Sequence, residues 1–266
     1  MSLSSEQLAQ FSRDGFLVLR AFFSSRTVAD LSSGVDALVA RFEAQGASGV
    51  GVFEVAEQAR AASDAYFLAS GDTVVPFLEP AATAAGGGLR PGVAYRDALN
   101  KVGHALHCEA GPFREAVHDA RVAAVCRSLG YVAPSVPQSM LILKPAQLGG
   151  AVPPHVDGAF LHTTPQSVLG FWTPLTAATT DNGCLWAVPG SHARAVSRVF
   201  RRNALGTGTE FSPPDAAAFD TAGAVPLAMA AGDLVLLHSA LVHFSAANTS
   251  DAATSLWPTA TRRRRR

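Results

Sequence analysis

The second half of the chain is a series of short apolar runs separated by turns rich in glycine and proline, and this pattern limits the possible folds most strongly. Each run has the length and composition of a β-strand. Short strands that follow one another without intervening helices are typical of a β-barrel or a double-sheet jelly roll. The predicted strands are residues 138–144, 168–172, 184–188, 233–238 and 241–247. The span 193–226 between them reads as a long loop, and long loops in such folds often cover a functional opening.

The first half of the chain is predicted to be mainly helical. Ser4 and Gln7 have the spacing of a capping box, which begins a helix that Asp14-Gly15 ends. Apolar residues at helical spacing predict two further helices, the second of which is closed by Gly130. These helices are residues 26–43 and 113–129, and residues 16–19 read as a buried strand.

Three metal-ligand candidates stand in the β-rich half: His155, Asp157 and, far downstream, His243. Residues i and i+2 of a strand point to the same side, so His155 and Asp157 can direct their side chains at one metal ion. His243 can supply a third ligand from a neighbouring strand. Two imidazoles and one carboxylate are the facial triad of non-haem iron(II) oxygenases. A lone His-x-Asp is more often an ordinary surface or core feature, but its position in the strand set favours a metal site.

The charge of the chain is unevenly distributed. The 266 residues are 48% hydrophobic, which suits one large domain or two small ones. The net charge is zero, but five of the 21 basic residues are Arg262 to Arg266. The other 16 basic residues stand against 21 acidic ones, so the body of the chain is acidic. An acidic body argues against a nucleic-acid-binding protein.

The sequence shows no membrane segment and no secretory signal, because it lacks both a long apolar run and a basic N-terminal region followed by an apolar one. Cys108, Cys126 and Cys184 are odd in number and widely spaced, which fits neither a disulfide framework nor a zinc site. Reduced thiols are typical of intracellular proteins, so we expect a cytoplasmic location. A catalytic cysteine is the alternative, but nothing around the three indicates an activated thiol.

Eight segments, in order from about residue 8 to 251, resemble the phytanoyl-CoA dioxygenase (PhyH-like) family of iron(II)- and 2-oxoglutarate-dependent oxygenases. One of them, Pro154-His155-Val156-Asp157-Gly158, contains the His-x-Asp pair. Each segment alone is unspecific, but together they are highly specific. They are residues 10–19, 66–72, 99–107, 138–140, 154–161, 181–186, 189–192 and 232–243.

This resemblance implies an α+β fold, a double-stranded β-helix of the jelly-roll or cupin type with helices packed outside it, mainly from the N-terminal half. It implies one domain over residues 1–261, helix-rich over 1–135 and with its β-helix core at 136–255. A basic tail at 262–266 is predicted to be disordered.

The resemblance also implies the chemistry. 2-Oxoglutarate would be decarboxylated to succinate and CO₂ while O₂ hydroxylates a small or acyl-type substrate, with ascorbate as a candidate reductant. We expect a monomer without nucleic-acid or membrane partners. The implied iron ligands are His155, Asp157 and His243, and the implied 2-oxoglutarate contacts are Lys101, Met140, Trp172 and Ser245. Without the resemblance, Met140 and Trp172 would be assigned to the core, and Lys101 to a solvated segment between helices.

The chain departs from the family pattern near its C-terminus. The family has an arginine about eleven residues after the distal histidine, which binds the far carboxylate of 2-oxoglutarate through two charge-assisted hydrogen bonds. Here that position is Thr254, and the likeness ends near Asp251. Losing such a contact weakens binding by about 1.5–3 kcal/mol, or roughly 10- to 150-fold.

Three explanations for Thr254 are open. The C-terminal segment is altered, for example by a frameshift; another cation, such as Lys101, Lys144 or a tail arginine, replaces the arginine; or the protein has lost 2-oxoglutarate turnover. The main hypothesis is an oxygenase, and the alternative is a weakened relative that binds a metal or ligand. A halogenase on the same fold is disfavoured, because such enzymes replace the carboxylate ligand and Asp157 is present.

Overall fold

The computed structural model describes residues 2–53, 65–85, 88–214 and 217–263. Within these ranges no helix is long and apolar enough to cross a membrane. The α-helices are α1 (Ser5–Asp14), α2 (Ser25–Gln45), α3 (Ala65–Ala69), α4 (Pro112–Val117) and α5 (Ala120–Ser128).

The strands of the described residues are β1 (Phe16–Leu19), β2 (Val74–Leu78), β3 (Leu99–His104), β4 (Pro134–Lys144), β5 (Val152–His155), β6 (Leu169–Pro174), β7 (Leu185–Ala187), β8 (Val199–Arg202), β9 (Thr209–Ser212), β10 (Val225–Leu227), β11 (Leu234–His238), β12 (His243–Ser245) and β13 (Thr254–Arg263). A large sheet has the order β1-β11-β6-β13-β4-β3-β2, and a small sheet has the order β10-β7-β12-β5. β8 and β9 form a separate hairpin. Neighbouring strands pair antiparallel in all three sheets.

The two sheets share one apolar core. Trp172 and Leu256 of the large sheet pack with Leu185 of the small sheet. Their chain neighbours Phe171 and Trp257 point to the other face of the large sheet, where they join a cluster that includes side chains of α2, α4 and α5. Two facing sheets with helices packed outside one of them confirm the predicted double-stranded β-helix.

The N-terminal helix begins and ends where the sequence predicts. The Ser4 side chain accepts a hydrogen bond from the Gln7 N–H, and the Gln7 side chain accepts one from the Ser4 N–H. Gly15 ends α1 with a φ of +80°, in the left-handed region that favours glycine. α2 begins one residue before the predicted range and ends two residues after it, with its apolar face buried.

Three local predictions were wrong. The helical pattern over residues 113–129 forms two helices, because the Asp119 side chain accepts a hydrogen bond from the Arg121 N–H at 2.7 Å and caps a new helix, α5. Lys101 lies within β3 instead of between helices. The segment 193–226, which reads as a long loop, contains the β8–β9 hairpin and β10.

The C-terminal segment also differs from the expected tail. β13 lies between β4 and β6 in the large sheet, although it contains Pro258, which can donate no backbone hydrogen bond. β13 includes Arg262 and Arg263, where a disordered tail was predicted. The prediction for Arg264 to Arg266 lies outside the described residues. Pairing with β4 on one side and β6 on the other therefore outweighs Pro258 and the arginines, which both argue against a strand.

Candidate metal centre

Two neighbouring strands place the predicted histidines directly opposite each other. β5 ends at His155, β12 begins at His243, and the two residues form a paired position in the small sheet. Val156 is extended, and Asp157 then opens a short 3₁₀ turn. The turn therefore starts only after the chain has placed Asp157 beside His155. Together with the pairing of His155 and His243, this brings the three predicted ligands together.

The geometry of the three side chains fits a single ion. Oδ1 of Asp157 lies 3.9 Å from Nε2 of His155 and 3.6 Å from Nε2 of His243. The centroids of the two imidazole rings are 4.2 Å apart. One ligand atom from each residue can be chosen so that all three lie within 4.8 Å of one another. Two imidazoles and a carboxylate at this spacing can bind one face of an iron(II) ion.

Backbone carbonyl groups set which nitrogen of each imidazole faces the site. Nδ1 of His155 lies 2.9 Å from the carbonyl oxygen of Pro153, and Nδ1 of His243 lies 3.0 Å from that of Leu241. A carbonyl oxygen only accepts, so each Nδ1 carries the proton and each Nε2 keeps a lone pair. Nε2 of His243 is buried and has no hydrogen-bond partner among the described residues. Metal-binding histidines are commonly oriented in this way.

The protonation state and the space around the triad also suit a metal. Burial holds the pKa of the His155 imidazole well below its ordinary value, and the neighbouring His243 lowers it further. His155 is therefore neutral at pH 7, as a metal ligand must be. Gly170 of β6 leaves room for the carboxylate, since a Cβ atom there would lie 3.0 Å from Oδ2 of Asp157. Sequence reasoning missed Gly170, although a glycine inside an apolar strand signals a close approach.

Three of the predicted 2-oxoglutarate contacts lie on strands whose inner faces meet between the sheets. Trp172 lies edge-on to His243, with ring centroids 6.0 Å apart. Ser245 follows His243 in β12 and is buried. Met140 lies in β4, two residues from Ile142, which packs against the shared core, and therefore on the same face. The strand pattern explains why Met140 and Trp172 read as core from the sequence alone.

Lys101 is buried among aromatic rings. Its Nζ lies 3.3 Å from the ring centroid of Phe53 and 4.7 Å from that of Phe77, which are cation–π distances. Among the described residues, no oxygen accepts a hydrogen bond from Nζ. Burial lowers the pKa of Lys101 to about 7. A buried ammonium group without an anionic partner would be stabilised by a bound carboxylate.

The position expected for the family arginine lies inside the fold. Thr254 is 1% exposed, and its Oγ1 has no hydrogen-bond partner among the described residues. Lys144 lies opposite Thr254 in β4, but its Nζ donates to the carbonyl oxygens of Gly150 and Ala246, both at 2.7 Å. Of the two lysines that could replace the arginine, Lys144 therefore donates to two carbonyl oxygens, whereas Lys101 lies over aromatic rings and donates no hydrogen bond to another described residue.

An aromatic cluster beside the triad was not singled out from the sequence. The ring centroid of Phe160 lies 6.0 Å from that of His155. Phe160 also packs against Phe200 and Phe211 of the β8–β9 hairpin, at 5.4 and 5.7 Å. All three phenylalanines are half-buried. The only sequence signal was the length of the segment 193–226, which is typical of a cover over a functional opening.

Comparison with protein families agrees with this arrangement. The family model described as phytanoyl-CoA dioxygenase (PhyH) matches residues 11–254. The chain belongs to the PhyH family. The match includes all three members of the triad and ends at Thr254, and the resemblance stated from the sequence is confirmed.

Relatives in the PhyH family match over nearly the whole chain. Phytanoyl-CoA dioxygenase domain-containing protein 1 of Mus musculus is 39% identical over 256 residues, covering 94% of this chain and 86% of the mouse protein. Phytanoyl-CoA dioxygenase 1 of Oryza sativa subsp. japonica is 37% identical over 249 residues, covering 94% of this chain and 85% of the rice protein.

Solved structures show the same fold at lower sequence identity. EctD from S. alaskensis, in a crystal structure with 2-oxoglutarate and 5-hydroxyectoine, has a TM-score of 0.64 and 22% identity over 98% of this chain and 76% of EctD. The alpha-ketoglutarate-dependent carbocyclase SnoK has a TM-score of 0.64 and 18% identity over 98% of this chain and 84% of SnoK. The PhyH member described here therefore has the architecture of the non-haem 2-oxo-acid-dependent oxygenases.

Proposed function

We propose that this PhyH family member is an iron(II)- and 2-oxoglutarate-dependent dioxygenase that hydroxylates a small or acyl-type substrate. The observation that carries the proposal is the convergence of His155, Asp157 and His243, with the buried Nε2 of His243 lacking a partner among the described residues. The names of the relatives and the 2-oxoglutarate in the EctD structure support it. We expect a cytoplasmic monomer.

The triad would hold the metal on one side only. Iron(II) with bound 2-oxoglutarate and O₂ supplies the oxidising chemistry, in which 2-oxoglutarate becomes succinate and CO₂. His155, Asp157 and His243 would occupy one face of the ion and leave the other positions for cosubstrate and O₂. The carbonyl groups of Pro153 and Leu241 keep both imidazoles oriented while these ligands exchange.

The residues between the sheets would hold 2-oxoglutarate. Lys101 would pair with a carboxylate, because its buried ammonium group has no other acceptor among the described residues. Ser245 would donate a hydrogen bond from its hydroxyl group. Trp172 and Met140 would provide apolar walls that exclude water from the chelate. The half-buried ring of Phe160 beside His155 favours an apolar group on the primary substrate.

A second candidate function is favoured by Thr254. A carboxylate of 2-oxoglutarate placed near Thr254 would meet a threonine hydroxyl in place of a guanidinium group, and Lys144 is already engaged with two carbonyl oxygens. Cosubstrate binding would then be weak. Under this alternative, the protein binds a metal or a ligand through the triad without appreciable turnover.

The experiment that separates the two functions measures succinate. Purified protein is incubated with iron(II), O₂ and millimolar 2-oxoglutarate in the absence of a primary substrate, with ascorbate serving only as a reductant in the assay. We expect slow formation of succinate that depends on iron and is absent in the Asp157→Ala variant. Succinate no higher than in an iron-free control would favour the metal- or ligand-binding function.

A further inference from the structure

The β8–β9 hairpin is held beside the candidate metal centre by apolar packing. Val196, which lies just before β8, and Phe211 of β9 pack against a cluster that includes Val156 and Val242. Val156 stands between two of the triad residues in the chain, and Val242 directly precedes the third. A Cβ atom at Gly158 would lie 3.1 Å from Cγ2 of Val196, so the two segments approach each other closely. The position of the hairpin relative to the triad is therefore fixed by contacts.

The sequence around β8 is basic, whereas the body of the chain is acidic. Residues 182–209 include four arginines and no aspartate or glutamate, and the body as a whole has only 16 basic residues. Two of the four arginines have partners within the protein. Arg201 pairs with Glu210 at 2.9 Å, and Arg202 donates a hydrogen bond to the carbonyl oxygen of Leu68 at 2.8 Å. The other two arginines of this stretch precede β8.

Arg198 combines a half-buried position with donors that no described residue uses. Its side chain forms no ion pair or hydrogen bond with another described residue, and its Cζ lies 4.0 Å from the ring centroid of Phe211. The ring covers one face of the planar guanidinium group, whose N–H donors lie in the plane and can still reach an acceptor. Phe211 packs against Phe160 at 5.7 Å, and Phe160 lies beside His155. A cation without an anionic partner therefore stands at one end of an aromatic cluster whose other end is at the triad.

We propose that Arg198 binds a free carboxylate group of the primary substrate, whose apolar part lies against Phe160 and Phe200. The inference rests on the proposed function, because it names a substrate class for that site. The two oxygens and single charge of a carboxylate match one guanidinium group, which can hold them through two parallel hydrogen bonds. A phosphate monoester carries nearly two negative charges at pH 7, and both arginines within β8 already have partners.

The test compares each phenylalkanoate, from phenylacetate to phenylhexanoate, with the phenylalkanol of the same length. The two probes of a pair share the ring and the spacer and differ in charge. Titration calorimetry of the full chain without iron or 2-oxoglutarate gives the dissociation constants, so the result does not depend on turnover. At the length that binds best, we expect the carboxylate to bind about three- to tenfold more tightly than the alcohol. This preference should disappear in Arg198→Gln and be intermediate in Arg198→Lys, which keeps the charge but loses the two parallel donors.

Two further variants control for charge and for position. Arg194→Gln removes a positive charge from an exposed arginine of the same stretch and should keep the wild-type preference for the carboxylate. Phe160→Ala should weaken the binding of both probes by a similar factor, because the ring would hold their shared apolar part. Affinities that do not change in Phe160→Ala would overturn the proposal, because the probes would then bind away from the aromatic cluster.

Three other results would also overturn the proposal. Neither probe of any pair binds up to its solubility limit; the preference survives in Arg198→Gln, which would place the carboxylate at another cation such as Lys101; or a phenylalkyl phosphate binds more tightly than the carboxylate of the same length. The oxygenase function is tested separately by the succinate assay. A preference that is lost in Arg198→Gln, together with an iron protein that forms no succinate, would support the carboxylate site and reject the oxygenase function.

Discussion

The two ends of the candidate site differ in how well their polar groups are matched. At the metal end, formed by His155, Asp157 and His243, carbonyl groups orient both imidazoles and the carboxylate lies within 3.9 Å of each Nε2. At the carboxylate end, defined as Lys101 and Thr254, Oγ1 of Thr254 has no hydrogen-bond partner among the described residues, and Nζ of Lys101 lies over aromatic rings. The metal end is produced by backbone pairing, whereas the carboxylate end depends on single side chains.

This difference separates metal binding from 2-oxoglutarate binding, two functions that one site would normally combine. The paired ends of β5 and β12 bring the histidines together whatever stands at position 254. Binding of a distal carboxylate needs a cation within reach, and Lys101, with its pKa lowered to about 7, is only partly protonated at neutral pH. Variants at the two ends should therefore change different measurements.

The largest effect is expected at the metal end. Asp157→Ala removes the one anionic ligand, and His155→Ala removes one imidazole, so each variant should lose stoichiometric iron. Metal content after anaerobic reconstitution with iron(II) and desalting provides the measurement. His162→Ala is the matched control, because this exposed histidine contacts Thr164 and Gln166 and should leave the iron content unchanged. Stoichiometric iron in both Asp157→Ala and His155→Ala would show that the triad is not the metal site.

A smaller effect is expected from repairing the carboxylate end. Thr254→Arg restores a guanidinium group at the position where the family has one, and should tighten binding of 2-oxoglutarate by about 10- to 150-fold. Calorimetric titration of the anaerobic iron protein measures the dissociation constant. Thr254→Gln adds a long neutral side chain in the same strand and should not tighten binding. Equal affinities for these two variants would mean that a positive charge at position 254 contributes nothing.

Much of the fold follows from local signals that the tertiary structure reinforces. The Ser4–Gln7 capping box, Gly15 and the apolar face of α2 act within a few residues, so the sequence predicts them closely. Strands β6 and β11 are also visible, because burial from both sides leaves continuous apolar runs, whereas β5, which carries His155, is only partly buried and was not predicted. The pairing of His155 with His243 is different. It is a register between strands far apart in the chain, and no local pattern specifies it.

The carboxylate end was less predictable for a physical reason. β13 contains Pro258 and ends in arginines, and both features argue against a central strand. Its two neighbours β4 and β6 supply pairing on both sides, which outweighs these local preferences. Lys101 carried a similar conflict, since a lysine in a buried strand is unusual without a ring cluster to receive it. The sequence alone does not show that cluster, because its members come from separate segments.

The smallest effect expected is a pH dependence at Lys101. Its pKa of about 7 means that the ammonium group loses its proton as pH rises through 7 in the free protein, and only the protonated form attracts a carboxylate. Affinity for 2-oxoglutarate should therefore fall about tenfold from pH 6 to pH 8. Titration calorimetry across this range measures the change.

Two variants identify the group responsible for that pH dependence. Lys101→Arg keeps the charge throughout the range, so its affinity should be independent of pH. Lys101→Met removes the charge, so its affinity should be weak and equally flat. Lys144→Met should keep the wild-type pH profile, because Nζ of Lys144 is occupied by two backbone carbonyl oxygens. If the pH dependence disappears in Lys144→Met and survives in Lys101→Met, the cation that binds the carboxylate would be Lys144, at the end of β4, and not Lys101 in β3.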